Sequence, residues 1–156
     1  MELTSNIDLE YYCKLLKINL HACTSKNLLH QIKPKQGCYI INLQDSTAGN
    51  GTHWCCFIIS ESTVTYFDPF GVLPPPDVIR FAKRYKRNIK IIYSLDKIQD
   101  LTSIYCGWYN LYYLYFMTTH KCKQKGYLLN KHNALYDLQN EKENDNKIKQ
   151  LIEKLF

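Results

Sequence analysis

The sequence predicts an α+β fold: a central, mostly antiparallel sheet flanked by helices, one of them a buried helix with a cysteine at its N-terminus. Three observations carry this. Short β-branched and aromatic runs at 37–43, 53–60, 63–68 and 88–94 are separated by polar or glycine-bearing segments, as strands are. Helical periodicity appears at 7–19, at 76–87 and again at the C-terminal end. From 106 to about 119, apolar residues fall on almost every side, which marks a helix buried all round.

Taken in order, residues 7–19 read as an amphipathic helix capped by Asn6 or Asp8. Its face is Leu9, Tyr12, Cys13 and Leu16. Residues 20–36 are mixed and basic, with Pro34 against regular structure, so an irregular connection holding one short helix is expected. Gly37-Cys-Tyr-Ile-Ile-Asn-Leu43 reads as a buried strand. The polar stretch Gln44 to Thr52, with Gly49 and Gly51, is a loop able to grip a substrate backbone or a plain surface loop.

His53 to Ser60 and Thr63 to Asp68 form a hairpin turning at Glu61-Ser62. Cys55 and Cys56 are neighbours on a strand and face opposite ways, so they cannot share one metal. Trp54 either shields the end of the hairpin or is simple core packing. Pro69 stops the second strand, and Pro74-Pro75-Pro76 is a stiff spacer whose last member opens a helix to about Arg87. Val78, Phe81, Ala82 and Tyr85 make that helix's apolar stripe. Arg80, Lys83, Arg84 and Arg87 make a second face, either solvated or built to contact phosphates or an acidic peptide. After a strand at 88–94 comes a turn region to Tyr105, then the buried helix. Residues 120–133 read as an exposed basic connection. The charged run Glu141–Lys147 interrupts the C-terminal part, and a final helix packs through Ile148, Leu151, Ile152 and Leu155.

A chain of 156 residues with 46% hydrophobic content supports one domain spanning 1–156 with a real core. No repeat or second domain is visible. Seven cysteines are an odd number, and Met1-Glu-Leu-Thr-Ser-Asn6 resembles no secretory signal, so free thiols in a reducing compartment are expected. No stretch has the ~18 to 20 charge-free apolar residues of a membrane span, so no membrane partner is expected. Metal is not expected either: there is no Cys-x-x-Cys pair, and His120-Lys-Cys122 is too close and isolated for a tetrahedral site. Dinucleotide and P-loop signatures are absent. The net charge of +6 speaks only of solubility and anionic partners.

The chemistry concentrates at Cys106. At a helix N-terminus, unpaired N–H groups and the positive dipole end favour an anion, and a thiolate is one. Gly107 leaves the sulfur approachable. A nucleophilic cysteine needs a base, and the base needs an orienting group. His53 heads one strand of the hairpin and Asp68 ends the other, so both lie at the same end. The order His, Asp, Cys argues against papain-type enzymes, which run Cys, His, Asn.

The set Gly51-Thr-His53-Trp54, Phe67-Asp68-Pro-Phe-Gly71, and Gln99 seven residues ahead of Cys106-Gly107 resembles the adenovirus maturation protease (adenain) family. More broadly it resembles the clan shared with the ubiquitin-like-protein proteases, and in style the versions carried by virophages and Polinton-type viruses. The match spans roughly residues 38–118. The resemblance implies Cys106 as nucleophile, His53 as general base and acid, Asp68 as orienting carboxylate and Gln99 as oxyanion donor, with Trp54, Gly51 and Gly107 around the cleft. The adenovirus enzymes have Glu where this chain has Asp68, whereas Asp is usual in the ubiquitin-like-protein proteases. The resemblance further implies a single cysteine protease domain acting as a monomer on viral capsid precursor polypeptides near small, Gly-type residues. It would act at virus assembly sites in the host cell and in the virion interior. No cofactor is implied beyond a DNA or peptide activator, for which Arg80, Lys83, Arg84 and Arg87 are the candidate contacts. Two other readings are a deubiquitinase or deSUMOylase of the same clan, and a non-catalytic basic module that binds nucleic acid or scaffolds a capsid.

Overall fold

The computed structural model describes residues 5–44 and 53–156. Helix α1 (Asn6–Leu15) precedes strand β1 (Leu20–Ser25), a 3₁₀ helix (Lys26–Gln31) and β2 (Gly37–Asn42). The hairpin β3 (Trp54–Ile59) and β4 (Thr63–Phe67) leads to α2 (Pro76–Tyr85) and β5 (Lys90–Ile92). Helices α3 (Cys106–Thr119), α4 (Lys125–Asn133) and α5 (Glu141–Glu153) complete the chain. The five strands lie in sequence order in one sheet. The expected antiparallel centre is there, β2–β3–β4, and the edge strands β1 and β5 join it in parallel.

The sheet is buried on both faces, because helices cover each. On one side, alternate residues of the central strands (Cys38, Ile40, Cys56, Phe67) pack on α1, α3, α4 and α5. On the other, Tyr39, Ile41, Cys55, Phe57, Val64 and Tyr66 pack against α2 and the 3₁₀ helix through Leu29, Val78, Phe81 and Ala82. Helix α3 is the spine of the larger layer. Ten of its residues are buried, and Tyr113 stacks on Phe67 at 4.4 Å. No helix among the described residues is long and apolar enough to cross a membrane.

Four local expectations are corrected. Residues 20–25 form a strand: they pair in parallel with β2, but as an edge strand half-buried throughout they show no alternation to read. Residues 125–133 are a helix, not a basic connection; Leu128, Leu129 and His132 are buried against the core while Lys131 stays outside. The charged run 141–147 opens α5 instead of preceding it, with Glu141 and Glu143 in the first turn where the helix dipole favours them. Helix α1 also stops earlier than expected, at Leu15, and its cap is Ser5, whose hydroxyl accepts from the Asp8 N–H at 3.1 Å.

Candidate active site

The β3–β4 register brings His53 and Asp68 together. β3 and β4 pair from Ile59–Val64 outward to Cys56–Phe67, so the residues beyond that end face one another. The Leu43 N–H donates to the His53 carbonyl at 3.0 Å, carrying the pairing with the β2 side through to the histidine. Beyond the last pair, His53 Nε2 lies 2.8 Å from Asp68 Oδ1. The carboxylate is wholly buried and the imidazole keeps 11% of its side chain exposed. Asp68 Oδ1 also accepts from the Phe70 N–H at 2.7 Å, which fixes the carboxylate from its own backbone. The Phe70 ring lies flat on the imidazole, with centroids 4.1 Å apart.

Cys106 lies near enough to His53 to act on the charge of its ring. With Nε2 engaged by Asp68, Nδ1 is the nitrogen left to exchange a proton with the sulfur. Cys106 occupies the first position of α3, where no side chain caps the helix, so the first-turn N–H groups and dipole remain directed at the sulfur's end. Gly107 follows it, buried in the same turn. Burial of the His53 ring pulls its pKa down. The hydrogen bonds to Asp68 and Cys106, and the negative charges behind them, outweigh that and raise it from 6.5 to about 9. His132, the other buried imidazole among the described residues, shows the contrast. Its Nδ1 meets only the Asn133 side-chain oxygen, and burial pulls its pKa to about 4. Enclosed by Phe67, Tyr113, Phe116 and Tyr136, it is a core group.

Gln99 is brought to the site by its backbone. The N–H groups of Ile98 and Gln99 both donate to the Pro69 carbonyl at 2.9 Å, immediately after Asp68. Its side chain is fully buried, and Nε2 donates to the Ser103 carbonyl at 3.0 Å and to Ser103 Oγ at 3.2 Å. Ser103 Oγ in turn donates to Asp145, which also accepts from the Tyr109 hydroxyl. The amide is therefore held inside the 99–103 turn by a chain that ends on α5. Gly71 lets the two loops approach: φ is +71°, and a Cβ there would lie 2.6 Å from the Leu95 carbonyl oxygen.

Trp54 is buried on the α3 side of the sheet, in the layer that includes Cys106. The ring stacked on the imidazole is Phe70's. Gly51 and the loop around it lie outside the described residues. Helix α2 ends at Tyr85, short of the expected Arg87, so Arg80, Lys83 and Arg84 lie on it and Arg87 just beyond; all four are exposed, and α2 packs against the opposite sheet face from α3. Arg84 is partly committed, donating to the Leu29 and Ile32 carbonyls, and Arg80 lies 3.7 Å from Asp77.

Two further residues, Asn110 and Asn144, support the site. Asn110, buried within the apolar α3, donates from Nδ2 to the carbonyls of Cys106 and Trp54 at 2.7 Å each, tying the cysteine's turn to the strand that carries His53. Asn144 donates to the Ile98 and Asp137 carbonyls and anchors the Gln99 segment from α5. An asparagine at an otherwise apolar position of a buried helix is the cue for Asn110. For Asn144, inside a charged run, there is none.

No family model matches the chain, and no curated protein matches its sequence. Among solved structures it is similar to the Se-Met form of ASFV pS273R protease. Identity is 16% and the TM-score 0.51, over 87% of this chain and 68% of that one. A second structure of the same protease gives 14% identity and a TM-score of 0.49 over the same shares. At this identity the first likeness shows the fold: an α+β architecture shared with a protease.

Proposed function

We propose that this chain is a viral maturation cysteine endopeptidase. The observation that carries the reading is the buried pair of His53 and Asp68, 2.8 Å apart, with Cys106 close enough to His53 to help raise its pKa. Cys106 attacks the scissile carbonyl as His53 takes or already holds its proton. Asp68 orients the ring and offsets the charge of the imidazolium. The oxyanion is met by the Cys106 backbone N–H and by the Gln99 amide, after that amide leaves Ser103; one such donor contributes ~3 kcal/mol in the transition state. His53 then protonates the leaving amine, and water releases the acyl group. Gly107 keeps the approach to the sulfur clear, and Trp54 closes the core behind it.

The adenain-like motifs support the finer reading. The substrate is a capsid or other virion precursor polypeptide cut near small, Gly-type residues, at the assembly site and in the virion interior, by a monomer. DNA or a peptide is the candidate activator, met by Arg80, Lys83, Arg84 and Arg87. Incubating the purified protein with the capsid precursor and mapping new termini by mass tests this. Cleavage next to Gly that disappears in Cys106→Ala, with circular dichroism unchanged, is expected. Processing that persists in that variant removes Cys106 from the nucleophile's role. Labelling by ubiquitin-type electrophilic probes with no precursor cleavage moves the substrate to ubiquitin-like proteins.

A further inference from the structure

Cys55 takes no part in the reaction set out above, yet it sits beside two groups that do. It lies two residues past His53, so the strand projects both side chains from one face, and Asp68 closes the group from the end of β4. The ligand-capable atoms of His53, Cys55 and Asp68 all lie within 4.8 Å of one another, and all three residues are buried. A second observation points the same way. Asp68 Oδ2 has no hydrogen-bond partner, although the side chain is wholly buried. A carboxylate oxygen left so is costly, and its carboxylate belongs to a cluster that otherwise offers one imidazole nitrogen and one thiol. Nitrogen, sulfur and oxygen donors around one point suit a borderline-soft divalent cation and disfavour Mg²⁺ or Ca²⁺.

We propose that His53, Cys55 and Asp68 form a three-ligand site for Zn²⁺ or a similar thiophilic divalent cation, and that its occupation locks the catalytic pair in an inactive state. The lock rests on the proteolytic reading; the metal site does not. A tetrahedral ion with bonds of about 2.0–2.3 Å sets its ligands roughly 3.3–3.7 Å apart, so the widest pair closes by about 1.5 Å at most. One thiolate and one carboxylate neutralise a divalent ion, so no net charge is buried. On binding, the Cys55 S–H bond breaks, its proton goes to solvent and a metal–sulfur bond forms. The imidazolium releases its Nε2 proton to solvent, the Nε2 lone pair goes to the metal, and Nδ1 keeps its proton. The nitrogen that faces Cys106 then carries a proton it cannot exchange for the thiol's, and the base is lost. Water fills the fourth position, entering from the side on which the imidazole is exposed.

The test uses full-length Cys106→Ala protein, which removes the nucleophile's sulfur from the question, and Co²⁺ as a coloured stand-in for Zn²⁺. One equivalent of Co²⁺ should bring up tetrahedral visible bands with a near-ultraviolet thiolate-to-cobalt band, and Zn²⁺ should displace them. Adding Cys55→Ser should abolish the thiolate band with circular dichroism unchanged. Asp68→Asn, which retains the thiol, should weaken binding at least tenfold. No stoichiometric band, a band that survives Cys55→Ser, undiminished affinity in Asp68→Asn, or a band seen only when Cys106 is present would each overturn the site. Peptide cleavage by the metal-free unmodified protein, scored in parallel, reports the proteolytic reading separately, since its failure leaves the cobalt spectra unaltered.

Discussion

The end of the β3–β4 hairpin and the 95–105 segment deliver side chains to one place by different means. In the hairpin, register does the positioning: six backbone pairs between β2 and β3 and four between β3 and β4 leave His53 and Asp68 nowhere to go but toward each other. In the 95–105 segment only the backbone is fixed, by the two bonds to the Pro69 carbonyl. The Gln99 side chain then chooses among partners, and it rests on Ser103. A pair set by strand pairing is pre-organised; a donor set by a rotamer in a turn must be released before it can act.

The rigid side gives the largest effects. Asp68→Asn should lower kcat by about 10³- to 10⁴-fold, because the ring loses its orienting acceptor, with KM little changed in peptide hydrolysis. The same variant should change stability against pH. The folded pKa of His53, about 9, lies above the 6.5 of a free imidazole, so its contribution is full below pH 6.5 and is lost as pH rises through 9. The unmodified protein should lose stability across that window in urea melts, and Asp68→Asn should lose much less. Equal slopes would mean the pair is not coupled as described.

The adaptable side gives a smaller effect. Gln99→Ala should reduce kcat by about 100-fold if the amide reaches the oxyanion. Ser103→Ala, which frees Oγ's share of that amide, should leave the rate within a few-fold of normal or raise it. A Gln99→Ala protein of normal kcat would make the Gln99–Ser103 contact purely structural and hand the donor role to the backbone. Smallest of all should be the α2 face. Reversing Arg80, Lys83 and Arg87 to Glu, while sparing the carbonyl-bound Arg84, should leave basal peptide cleavage unchanged. It should weaken DNA binding and reduce its salt slope by close to one for each phosphate no longer neutralised.

The same contrast explains what could be read from the sequence. The His53–Asp68 meeting was legible because two strands and a short turn fix a register, and period two is visible in the residues themselves. The α3 helix was legible because no polar face interrupts it. Strand β1 was not, because parallel pairing at an edge leaves only half-buried side chains. The α5 start was not, because a run of charges looks like solvent exposure until Asn144 and Asp145 are seen holding the Gln99 turn. The position of Gln99's amide could not be read either, since a rotamer leaves no periodicity. Cys55 had a readable cue, the His-x-Cys spacing on one strand face, which a search for Cys-x-x-Cys passes over.

Iodoacetamide labelling at pH 6 followed by peptide mapping reads out whether His53 activates Cys106, because an isolated thiol is barely ionised there. Carbamidomethylation confined to Cys106 among the seven cysteines, and slowed severely by His53→Ala, is the predicted result. Labelling at Cys106 that is equally fast without His53, or preferential labelling of another cysteine, would contradict it.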